Sequence, residues 1–135
     1  KIDEQLFCID LNFVDTVIYY TQMKKVPGVD PYFIGLLNYH GDMVPVFDMA
    51  MKLGIDREPN YTLQTPIILC KQKDSQLALI VDDIVGVDRV DAGAMQVQDI
   101  LTGEARVNLL GSLTTSSGDA LLINAHDLFM EQMRR

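Results

Sequence analysis

Residues 33–54, FIGLLNYHGDMVPVFDMAMKLG, decide how the rest of the chain is read. They predict a strand over residues 34–39, a tight turn at His40, Gly41 and Asp42, and a second strand over 43–47. Asp48 then caps a short helix over 49–53, which Gly54 closes. Gly41 can adopt the positive φ that a hairpin turn needs. The Asp48 carboxylate can accept from the first free N–H groups of the helix, and Gly54 supplies a left-handed stop. Pro45 has no N–H for a ladder, so its nitrogen is expected to face an edge or a bulge.

The flanks carry more strands. QLFCID (5–10) is an apolar run of strand length that continues through Leu11 and Asn12. From Phe13 to Tyr20, β-branched and aromatic residues favour a strand over 14–20 rather than a helix. KKVPGVDP (24–31), with two prolines and a glycine, is a loop. Beyond the central stretch, DREPNYTLQT (56–65) reads as an exposed connection. PIILCK (66–71) and LALIV (77–81) are strands about the polar turn QKDS (72–75). Asp82 and Asp83 lead into an expected strand over 84–90, where Gly86 suggests a bulge or a close backbone approach. Residues 91–103 read as irregular. Strands over 107–113 and 120–124 flank a turn at 115–119. The chain closes in a helix over 125–135, apolar at Leu128, Phe129 and Met133, with Arg134 and Arg135 at its negative end.

Some eight short strands and two short helices predict a mainly β domain, a barrel or paired small barrels. A layered α/β fold would need long helices between parallel strands. GLLNYHGDMVPVFDM (35–49) and NLLGSLTTSSGDALLINAHDL (108–128) echo one another. Each runs apolar strand, glycine turn, apolar strand, acidic residue and helix, which predicts two related halves.

A chain of 135 residues and 15.2 kDa suits one domain with a real core, and 48% hydrophobic residues argue against disorder. The net charge of −8 argues against nucleic-acid binding and against contact with an anionic membrane. No apolar run approaches the roughly 20 residues of a membrane span, and no signal peptide is visible. The chain opens with Lys, so it is expected to be a fragment or a trimmed piece. Cys8 and Cys70 are expected as buried, reduced thiols, which favours the cytoplasm.

Catalytic patterns are poorly represented. His40 and His126 fall on a turn and at a helix start, outside any HExxH or Cys–His cluster, and read as solvated or hydrogen-bonded rather than as metal ligands. There is no CxxC, GxSxG or P-loop. Asp82 and Asp83, adjacent on a strand, would point to opposite faces and could not share acid–base work. Ser116, Ser117 and Gly118 are turn chemistry, and Met43, Met49 and Met51 are packing residues. No enzyme activity, metal or cofactor is expected.

The central stretch resembles the signature of CheW-like domains. There a strand ends in an asparagine-x-arginine-glycine turn, followed by a V-P-V/I-x-D strand and a short helix. Asn38, Gly41, Val44, Pro45 and Asp48 stand in those places. LFCIDLNFVDTV is similar to the family's earlier segment, and LALIVDDIVGVDRV to its G-x-V-V-D-x-V-x-x-V run, with Asp82 and Val87 in register. Gly111 and LLINAHDLF resemble the closing strand and its continuation. The likeness covers nearly the whole chain in order. It implies two interlocked five-stranded barrels of SH3-like shape, short helices including one at the C-terminus, and no catalysis. Family members couple a CheA-type histidine kinase to the cytoplasmic tips of chemoreceptors. By this resemblance the receptor-facing positions are Val14, Thr16, Gly35, His40, Val87 and Gly111. The hairpin at Gly41, Asp42 and Met43 would dock on the kinase's regulatory domain.

Two departures stand out. Typical members carry arginine at the position of His40 and glutamate at that of Thr16, and both are replaced here. Losing one alone would leave an unpaired charge, costly if buried; losing both is a coherent change. The family's first strand, just before KIDEQLF, is largely absent. An open sheet edge would result, predicting either self-association through that edge or an upstream segment. Three readings follow: an adaptor, the regulatory domain of a larger kinase or adaptor–receiver fusion, and a small-molecule-binding barrel, which would need an enclosed pocket with convergent polar groups.

Overall fold

The computed structural model describes residues 1–2, 4–55, 58, 60–88 and 109–133. Its elements are β1 (Phe7–Cys8), a 3-10 turn (Leu11–Phe13), β2 (Val14–Tyr19), β3 (Phe33–Tyr39), β4 (Asp42–Asp48), α1 (Met49–Lys52), β5 (Pro66–Gln72), β6 (Ser75–Ile80), β7 (Leu109–Thr115), β8 (Gly118–Ile123) and α2 (Ala125–Met133). The fold is mainly β, in two sheets. One has five strands in the order β2-β5-β6-β4-β3, and the other has three among the described residues, β1-β8-β7.

The run of apolar residues in β5 and β6 has a physical reason: both strands are covered on both faces. Ile67, Leu69, Ala78 and Ile80 point into one core with Leu37, Val44 and Val46. The alternate residues Cys70, Leu77 and Leu79 point into a second core. That core also takes Phe47, Met49 and Ala50, Leu109 and Ile123 of the second sheet, and Leu128 and Phe129 of α2. Ile2 is fully buried in it as well. The second core therefore belongs to both sheets, and each fully buried Leu, Ile or Phe there contributes about 1.5–3 kcal/mol by leaving water.

The central hairpin forms as its residues dictate. His40 and Gly41 have φ of 53° and 89°, so both central residues are left-handed, as a two-residue type I′ turn requires. The Asn38 side chain accepts from Gly41 N–H at 3.1 Å. Asp48 caps α1, its Oδ1 accepting from Met51 N–H at 3.1 Å, and Gly54 stops it at φ 92°. Pro45 lies opposite Leu36, whose N–H and C=O are both engaged by Lys24 on the far side. The nitrogen of Pro45 thus faces away from β3, toward β6, and the β4–β6 ladder starts only at Val46. No bond is lost.

Several expectations are corrected. The apolar run at 5–10 yields only the two-residue β1, held parallel to β8. Asp10 then caps the 3-10 turn by accepting from Asn12 N–H at 2.9 Å, interrupting the run before β2. The strand expected over 84–90 is not formed through Asp88. Ile84, Val85 and Val87 have strand-like composition but no ladder, and Val87 is 80% exposed. Among the described residues a Cβ at Gly86 would meet nothing within 4 Å, so no close backbone approach by any of them explains that glycine. The expectation for 91–103 lies outside the described residues.

Candidate partner-binding surface

The positions singled out in the sequence fall into three groups. Val14 and Thr16 are half-buried on β2, on either side of a register shift against β5. Gly35 is on β3, the other outer strand of the same sheet, just after a register shift against β4. The two outer strands are tied through the segment that follows β2. Lys24 N–H donates to Leu36 C=O at 3.0 Å, and Leu36 N–H donates to Lys24 C=O at 2.8 Å.

Gly35 is buried under this segment. A Cβ there would lie 2.8 Å from the Lys24 carbonyl oxygen and 3.2 Å from Met23 Cβ. Its glycine identity lets one backbone lie on another, and it presents no side chain to a partner. Gly111 is likewise buried, in β7 and just past a register shift opposite β8.

His40 is exposed at the tip of the β3–β4 turn, its ring edge-on to Tyr39 at 4.2 Å between centroids. Among the described residues no bond joins it to Thr16. Val87 stands next to Asp88, whose carboxylate accepts from Ser116 N–H at 2.7 Å. That bond fastens the segment after β6 to the β7–β8 turn, so Val87 is carried beside the second sheet.

Gly41, Asp42 and Met43 are all exposed, Met43 by 48%. Asp42 and Met43 line one wall of a cleft of about 540 Å³, and Pro45 belongs to the same wall. Lys71, Asp74 and Gln76 of the β5–β6 hairpin form the opposite wall, and Phe129 also lines it. The cleft exists because β4 and β6 pair only from Val46 and Ala78 onward and part before that point. The β5–β6 hairpin was barely legible in the sequence as a surface element. Its one signal was the polar QKDS turn, which any hairpin would share.

Of the two thiols, Cys70 is buried and Cys8 half-buried. Burial raises the Cys70 thiol to about 12 and also pushes Cys8 up, the reverse of what a nucleophilic thiolate needs. His126 Nδ1 lies 2.9 Å from Gln72 Nε2. Among the described residues no three His, Cys, Asp or Glu side chains are grouped to hold a metal. No helix among them is long and apolar enough to cross a membrane.

The family model for the CheW-like domain matches residues 1–133. A chemotaxis protein CheW of Thermotoga maritima is 27% identical over 74% of this chain and 65% of its own length. One from Bacillus subtilis is 32% identical over 62% of this chain and 58% of its own. The chain thus aligns with about three fifths of those two relatives. A third, from Rhizobium meliloti, is 24% identical over 99% of this chain and 86% of that protein. The crystal structure of the scaffolding protein TtCheW from Thermoanaerobacter tengcongensis matches with a TM-score of 0.81 at 22% identity, covering 92% of this chain and 84% of that one. At that identity the structural likeness speaks for the fold. With the family match running from end to end, the chain belongs to the family of CheW-like domains.

Proposed function

We propose that this domain is a non-enzymatic adaptor that couples a CheA-type histidine kinase to the cytoplasmic tip of a chemoreceptor, in the cytoplasm. The observation that carries the reading is the family match over residues 1–133. The kinase's regulatory domain docks at the β3–β4 tip, Gly41 to Met43, and extends into the cleft toward Lys71 and Asp74. The half-exposed Met43 supports this, because adaptable apolar side chains are favoured at binding surfaces. The receptor tip docks along β2 at Val14 and Thr16, with Gly35 and Gly111 shaping the backbone and His40 and Val87 at the margins.

Thr16 and His40 offer no ion pair, so the receptor contact relies on packing and hydrogen bonds more than on charge. The domain's net charge of −8 favours partner faces that are relatively basic. The test is a pull-down of purified kinase regulatory domain and of a receptor tip by this domain. Retention of both, separately and together, is expected; retention of neither would reject the adaptor reading. The same domain could also serve inside a larger kinase or adaptor–receiver fusion, and the flanking sequence of the full-length protein separates the two cases.

A further inference from the structure

β2 is an outer strand whose one sheet partner among the described residues is β5. The direction of its backbone groups follows from two facts. Tyr20 N–H donates to Thr65 C=O at 2.8 Å, and Tyr19 lies opposite Pro66, which has no N–H. Backbone groups of successive residues alternate between the two sides of an antiparallel strand. Those of Tyr19 and Val17 therefore point away from β5, to the side with no sheet partner among the described residues. Asp15, Val17 and Tyr19 form the exposed row of side chains, with Val17 at 45% and Tyr19 at 65% exposure. Edges of this kind are usually blunted by lysine, proline or an inward charge; Val17 to Tyr19 carries none of these.

We propose that a second copy of this chain pairs here, β2 against β2, antiparallel about a two-fold axis through Val17. A second copy is the occupant because the row is complementary to itself. An axis at Val17 sets that residue beside its own copy and sets Asp15 across from the tyrosine at position 19 of the other chain, twice over. Each tyrosine hydroxyl can donate to the facing carboxylate, and no two like charges meet. Opposed pairs of this kind stabilise antiparallel strands, and an isologous contact closes as a dimer rather than growing into a filament. Moving the axis by one residue leaves either the charged or the aromatic end of the row without a strand opposite. The contact is short, so the dimer is weak and concentration-dependent. It tightens with added salt, which screens the −8 charge on each copy. This edge is on β2, not at the chain start. β2 also carries Val14 and Thr16, so if the receptor reading above holds, self-pairing and receptor docking exclude one another.

Sedimentation velocity over a dilution series tests the dimer without either partner, so its failure is separate from failure of the adaptor reading. The samples are the unmodified chain, Tyr19→Asp, Tyr19→Lys and Met130→Asp. The unmodified chain is expected to dimerise on concentration. Tyr19→Asp, which faces Asp15 of the other copy, should weaken it at least about tenfold. Tyr19→Lys should retain it and reverse its response to salt, because an Asp15–Lys pair is then screened. Met130→Asp, on the exposed side of α2, should change nothing. A monomer at every concentration, equal weakening by Tyr19→Asp and Tyr19→Lys, or the same loss with Met130→Asp would each overturn the proposal.

Discussion

Seventy-six residues separate Gly35 from Gly111, His40 from Ser116 and Asp48 from Asn124, and each pair holds the same station in its own hairpin–helix unit. In both units a register shift falls just before the glycine, a two-residue turn joins the strands, and the second strand takes a parallel partner from elsewhere. For β4 that partner is β6, and for β8 it is β1. Each unit then passes through a capping side chain into a helix. Asp48 accepts from Met51 N–H, and Asn124 Oδ1 accepts from Asp127 N–H at 3.0 Å. The fastenings differ. The first cap is a fully buried carboxylate that also accepts from the Tyr61 hydroxyl at 2.6 Å, while the second is a half-buried amide. The first turn is set by two left-handed residues, and the second by the Thr115 hydroxyl, which accepts from Ser117 N–H and donates to Gly118 C=O. One plan serves two halves, and the more buried half depends more on single polar contacts.

The largest test of this contrast is cap removal. Asp48→Ala strips the cap and removes the buried carboxylate that accepts from the Tyr61 hydroxyl and Met51 N–H, a loss of about 2–4 kcal/mol. Asn124→Ala should cost about 1 kcal/mol. Denaturant unfolding measures both, and equal losses would break the comparison.

Next is Gly35→Ala, where the added methyl meets the Lys24 carbonyl. Overpacking against backbone costs about 1–3 kcal/mol. The bridge between Lys24 and Leu36 should open, seen as faster amide exchange at both residues. Unchanged exchange at Lys24 would mean that the segment after β2 is not held by this approach.

Much of this was legible locally. The turn at His40 and Gly41, the Asp48 cap, the Gly54 stop and the paired halves all depend on residues within a few positions of one another. What was hidden depends on distance along the chain. The parallel pairings β4–β6 and β1–β8 join segments with no shared local signal. For the same reason the apolar run at 5–10 looked like a full strand, although only Phe7 and Cys8 are held in ladder register with β8. Residues 84–88 carry strand-like side chains, but composition cannot say whether a neighbouring strand is within reach. Of the candidate surface, the hairpin tip was readable, while the cleft opposite Lys71 and the burial of Gly35 needed the third dimension.

A smaller effect tests how the halves are joined. Lys52 of α1 meets Glu131 of α2 at 2.7 Å and lies over the Tyr32 ring, 4.5 Å from its centroid. Glu131→Gln should cost about 1 kcal/mol or less, since the pair keeps some solvent access, and the loss should shrink at high salt. A loss indifferent to salt would assign the contact to packing.

The smallest effect separates the two thiols. Cys70 is buried within the first sheet and Cys8 is half-buried in the second, so alkylation of the folded protein at mild alkaline pH should reach Cys8 first. An unfolded thiol ionises near 8.5, whereas folded Cys70 holds its proton to about 12. The unfolded state therefore loses protons first, and stability falls as pH rises through that window. Faster labelling of Cys70 would contradict its burial.

The proposed division between a kinase-docking β3–β4 tip and a receptor-docking β2 is tested most directly by titration calorimetry of two variants against each partner. Met43→Lys should weaken binding of the kinase regulatory domain at least about tenfold and leave the receptor tip unaffected. Thr16→Arg should do the reverse. Loss of both partners in either variant, or of neither in both, would contradict the division of labour.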